Sequence, residues 1–151
     1  MTTTAPAQPR TRRTLVSGLL VGVGAMAFVD EVVFHQVLHW HHFYDASTTD
    51  VGLVSDGLLH AGSWFATVAG LFLVADLRRR GGIDRTRWWG AMLAGAGAFQ
   101  LLDGTVLHKA LGLHQIRYGV DLALYDALWI GAGAAFLVVG SLLLARAARR
   151  G

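Results

Sequence analysis

The stretch "LVSGLLVGVGAMAFVDEVVFHQVLHWHH", residues 15–42, decides how this chain is read. Its first twenty residues carry no charge except Asp30 and Glu31, and that is about the length a helix needs to cross a bilayer. Its last eight hold His35, His39, His41 and His42. Carboxylates and imidazoles therefore sit where the chain is leaving an apolar environment.

Three more runs of the same kind follow, over residues 57–75, 88–107 and 122–145. They are interrupted by His60, by Gln100 and Asp103, and by Asp126. The middle of each run lacks the polar stripe that a helix of a soluble bundle needs. The whole chain is 54% hydrophobic and only 15% charged, against about a quarter charged in soluble domains. These features predict an all-α, polytopic membrane four-helix bundle. Helices are expected near residues 14–39, 55–77, 87–109 and 121–147, preceded by a flexible basic N-terminus over 1–13. Asp56 and Asp121 also suit the N-caps of helices two and four. There is no cysteine, so disulfides and thiolate metal sites are excluded.

Arginines flank the runs on one side. Arg10, Arg12 and Arg13 precede the first, five lie within residues 78–87, and Arg146, Arg149 and Arg150 follow the last. The other two loops carry only Lys109 and Arg117. The positive-inside rule then predicts cytoplasmic N and C termini, a location in the inner (plasma) membrane, and an extracytoplasmic face for the histidine-rich loops. Arginines so placed orient the protein in its lipid bilayer and do not form a nucleic-acid face. The segment "TRRTLVSGLLVGVGAMA", residues 11–27, also fits a cleaved signal peptide, which leaves a second reading of the first helix open.

"VDEVVFHQVL" at 29–38 aligns with "LDGTVLHKAL" at 102–111, and "SDGLLHAG" at 55–62 with "YDALWIGA" at 125–132. The offsets, 73 and 70 residues, nearly agree, so the chain reads as two helical-hairpin repeats of like orientation. A retained third helix argues for a retained first.

The polar residues gather at one end of the four helices. Asp30, Glu31, His35 and His39 close helix one; Asp56 and His60 open helix two. Gln100, Asp103 and His108 close helix three; Asp126 opens helix four; His41, His42 and His114 lie in the loops. Glu31, His35 and His39 recur four apart on one stripe, as do Asp56 and His60. Asp30 and His35, and Asp103 and His108, are five apart, about 140° around an α-helix. Those pairs need a distorted helix, or separate duties, to serve one ion. A carboxylate in the bilayer costs ~2.5–3.5 kcal/mol, and persists when paired, bound to a cation or lining a polar cavity.

Imidazole with carboxylate suits zinc, copper(II), iron or manganese. The expected ligands are His35, His60 and His108, with Asp30, Asp56 and Asp103 as ligands or orienting partners. His39, His42, His114, Glu31 and Asp126 are further candidates, in numbers sufficient for two ions. His41 and His42 also read as solvated headgroup contacts. A haem between facing histidines, a proton relay, a metal-dependent hydrolase or oxidase acting on a lipid or small molecule, and metal delivery to a membrane protein partner remain alternatives, as does a homo-oligomer.

"FVDEVVFHQVLHWHHFYD", "SDGLLHA" and "DGTVLHKALGLHQIRYGVD…YDALW" resemble a family of small bacterial four-helix membrane proteins known only as a domain of unknown function. The resemblance covers nearly the whole chain beyond the basic N-terminus. It implies the fold and membrane location, and no activity.

Overall fold

The computed structural model describes residues 7–150, with side chains from Arg10 onward. It is all-helical, with no strand among the described residues. Helix α1 spans Ala7–Asp30 and runs on through a π-helical segment, Glu31–Val37. Helix α2 spans Thr49–Arg79. Helix α3 spans Arg85–Leu101 and likewise continues as a π-helical segment, Leu102–Ala110. Helix α4 spans Leu122–Ala148. All four are long and apolar enough to cross a membrane.

Two boundaries differ from expectation. Helix α1 already runs from Ala7, inside the segment expected to be flexible, because its arginines find partners. Arg10 donates to the Gly81 carbonyl at 2.6 Å and Arg13 pairs with Asp76 at 2.8 Å. Residues 1–6 lie outside the described residues. Helix α2 begins six residues earlier than expected, capped by Thr48, whose Oγ1 accepts from Val51 N. Asp56 is therefore not an N-cap but stands inside the helix, free for other work. Asp121 does cap α4, accepting from Ala123 N at 3.0 Å.

The helices pack in the order α2–α1–α3–α4, and among the described residues α2 and α4 do not pack on each other. Parallel helices α1 and α3 form the middle and are 44% and 50% buried over their apolar windows; α2 and α4 are 11% and 17% buried. The flanking helices thus turn most of their apolar surface outward, which suits a lipid solvent.

Backbones approach closely through glycine, as membrane helices do. Gly18 and Gly22 of α1 lie against the Trp88 and Met92 carbonyls, Gly70 of α2 against Ser17 O, and Gly97 of α3 against Gly133 of α4. Gly62 of α2, by contrast, faces open space.

This packing makes a prediction. A Cβ at Gly97 would fall 2.5 Å from Gly133 O and from Leu137 N, backbone atoms that cannot swing aside. Gly97→Val should lower the thermal midpoint in detergent sharply. Gly131→Ala, in open space, should be neutral or stabilising by up to ~1 kcal/mol. A Gly97→Val protein as stable as the parent would contradict the α3–α4 contact.

Candidate metal centre

The π-helical segments resolve the spacing problem in the sequence. Hydrogen bonding from residue i to i+5 makes the fifth residue, not the fourth, the next neighbour up the helix. Leu38 N bonds Val33 O at 2.9 Å, and Leu111 N bonds Val106 O at 2.8 Å. His108 Nε2 thereby comes within 3.0 Å of Asp103 Oδ2, and His35 Nε2 within 3.8 Å of Asp30 Oδ2. Both helices unwind further at equivalent points, with Trp40 N on Phe34 O and Leu113 N on Leu107 O. The chain then turns through left-handed residues, His39 at φ 49° and Gly112 at φ 59°.

The loops that follow return two more histidines to the interior. His41 Nδ1 bonds Ile116 O, and His114 Nδ1 bonds Phe43 O, both at 2.9 Å. These bonds exchange places under the 73-residue offset of the sequence. The two rings stack at 4.6 Å with a 13° interplanar angle. A carbonyl only accepts, so Nδ1 carries the proton in each ring and Nε2 presents its lone pair. Both Nε2 atoms are buried without a hydrogen-bond partner, as is His35 Nε2. Burial, with His35, His114 and His108 nearby, pushes the His41 pKa down to about 2.

Around them, Asp30, Glu31, Asp56, Asp103, His35, His108 and His114 are each no more than 3% exposed. His35 Nδ1 faces Glu31 at 2.9 Å and Asp56 at 3.0 Å. Asp56 also accepts from Phe43 N at 2.7 Å and from His42 Nδ1 at 2.6 Å. Asp103 accepts from Trp129 Nε1 at 3.0 Å. Its short approach to His108 lacks hydrogen-bond geometry, and both ring nitrogens of His108 remain without such a partner.

Three sets have donor atoms within 4.8 Å of one another: Glu31, His35 and Asp56; Asp103, His108 and His114; and His35, His41 and His114. The first two share no residue, and each comes from one half of the chain. These donors could hold metal ions: metal-bound histidine characteristically donates its other N–H to a carbonyl or carboxylate, as His41 and His114 do here.

The structure brings some of the expected residues together and leaves others apart. His60, a primary expectation, stands apart. One turn deeper than Asp56, it meets Phe28 of α1 at 5.4 Å between centroids instead of the polar cluster. His39 is exposed and its Nδ1 is on His35 O. Asp126 is paired with Lys109 at 2.6 Å. Conversely, His41, read as a headgroup contact, lies in the centre of the cluster. Trp129 is 8% exposed and donates to Asp103. Extending the 73-residue offset past His35 and His108 pairs His41 with His114, and carried into the second hairpins in place of 70 it pairs Asp56 with Trp129 instead of Asp126.

Four apolar helices with a buried histidine–carboxylate cluster at one end define a class of membrane protein. The chain belongs to the family described as "Predicted membrane protein (DUF2243)", which matches residues 17–147. No curated protein and no solved structure matches it.

The buried, neutral His41 implies a pH dependence. Above its unfolded-state value of 6.5 it is uncharged folded or unfolded and contributes no pH-dependent term. Below 6.5 the unfolded chain takes up a proton that the folded one refuses until about 2, so stability falls as pH falls through this interval. Thermal unfolding of metal-free protein should show it, with a shallower slope in His41→Asn. Equal slopes for the two proteins would contradict the burial of a neutral His41.

Proposed function

We propose that this protein binds transition-metal ions, two per chain, in the buried centre formed by Glu31, His35, Asp56, Asp103, His108 and His114, with Asp30 and His41 between the two sets. The observation that carries this reading is the pair of buried Nε2 lone pairs on His41 and His114, each ring held by its Nδ1 on a backbone carbonyl. Unpaired buried polar atoms are costly, and a cation bound between them removes the cost. The four buried carboxyl groups, when ionised, match the charge of two divalent ions.

The all-nitrogen and oxygen donor set suits zinc, copper(II), iron or manganese. Haem is disfavoured, because the nearly parallel His41 and His114 rings lie face to face and do not oppose two Nε2 atoms across a plane. The two halves are read as an internal repeat whose equivalent pairs are Asp30/Asp103, His35/His108 and His41/His114. The halves have diverged, since Gly104 and Trp129 stand where the first half has Glu31 and Asp56. The distribution of arginine supports cytoplasmic termini and a centre near the extracytoplasmic face of the plasma membrane.

Elemental analysis of protein purified in mild detergent, before and after reconstitution, tests this. Wild type should carry close to two ions per chain. His108→Ala, His114→Ala and His41→Ala should lose metal, while His60→Ala retains it. Absence of stoichiometric metal in reconstituted wild type overturns the proposal. Trp129→Phe, which removes only the N–H donated to Asp103, should weaken affinity roughly 10–100-fold, as loss of an orienting partner does. Competition with a chelator of known affinity measures it.

A further inference from the structure

A cavity of about 440 Å³ opens beside the centre, lined by His39, Trp40, His41, His42, Asp45 and Tyr118. We propose that it is the mouth through which transition-metal cations reach the buried centre from water, with His39 and Asp45 as transient ligands. This rests on the metal-binding reading and adds a route and a direction of loading to it.

The connection is made by His41. It lines the cavity and also belongs to the set His35, His41 and His114, and its Nε2 has no partner although the residue is 5% exposed. His41 thus borders the cavity while its unpaired imidazole nitrogen lies among the buried donors behind it.

His39 supplies the second argument. It has a left-handed backbone, φ 49°, which strains an L side chain. The corresponding turn of the second half makes the same hydrogen bonds, and there the position is Gly112, φ 59°. The same turn is thus built without strain elsewhere in this chain. A histidine in that place is a departure that the turn does not require. Its Nδ1 lies 3.2 Å from the His35 carbonyl, so its Nε2 is left as an acceptor.

Asp45 completes the mouth. Its Oδ2 is buried with no hydrogen-bond partner, and burial together with this carboxylate raises the pKa of Tyr118 beside it. The second half is built differently at the equivalent place. At the second half's equivalents of His39, His42 and Asp45 stand Gly112, Gln115 and Tyr118. Gln115 is already engaged by Lys109 Nζ at 2.7 Å and by His108 O at 3.3 Å. Arg117, which stacks on Trp40 at 4.7 Å, is held by the Tyr125 hydroxyl at 2.6 Å.

The test is the rate of cobalt(II) uptake by metal-free protein, followed by its visible absorption, alongside final metal content and thermal midpoint. His39→Gly and His39→Asn both suit a left-handed residue and remove the imidazole. Each should slow uptake at least roughly tenfold, with unchanged final content and an unchanged or raised midpoint. Asp45→Asn should slow it too. Wild-type uptake rates in the His39 variants would overturn the mouth and leave the centre standing. Loss of final metal content in them would also overturn it, by making His39 a ligand of the centre. No cobalt(II) bound by wild type would remove both readings.

Discussion

Two residues five apart on a helix face the same way only when the backbone bonds i to i+5. The arrangement of the centre depends on that constraint. At the ends of α1 and α3 the widened turn swings His35 toward Asp30 and His108 toward Asp103. The unwinding then continues into the turns at His39 and Gly112, which send His41 and His114 back inward. An α-helical continuation would direct the members of each pair to different sides. π-helical turns are uncommon and are found often at functional sites; here two occur at matching places in one chain.

The middle position of α1 and α3 follows from their small residues and decides where the centre sits. Their glycines and alanines let the parallel backbones approach, so both π-helical ends emerge side by side at one end of the row. Helices α2 and α4 contribute one residue each from their flanking positions, Asp56 and Trp129. Each meets the polar end of the middle helix it packs against, Asp56 through His35 and Trp129 through Asp103. The apolar helices thus provide a dry scaffold, and polar groups are concentrated where their interactions are strong and leaving them unpaired is costly.

The reciprocal bonds from His41 to Ile116 O and from His114 to Phe43 O tie the two halves together at the level of the loops. Each bond sets the tautomer of one ring through the backbone of the other half. The donors are therefore preorganised by main-chain groups, which do not titrate. The asymmetry between the halves lies in what surrounds this frame. The first half surrounds His35 with Glu31 and Asp56, and the second gives Asp103 a neutral indole N–H. Two ions held there would meet different charge environments.

The sequence by itself determined the four apolar helices, because hydropathy over about twenty residues is a property of the local chain. It also located the polar end, since every histidine but His60 falls at or beyond one end of its helix. It could not determine which of those residues meet. His60 and His41 differ in outcome because α2 carries His60 a turn deeper, opposite Phe28, while a loop folds His41 back against His114. Nor does regular α-helical periodicity foresee a π-helical turn, which moves each later residue around the axis. The tertiary structure alone decided which residues meet in the buried cluster, because that depends on distances of a few ångströms between separate elements.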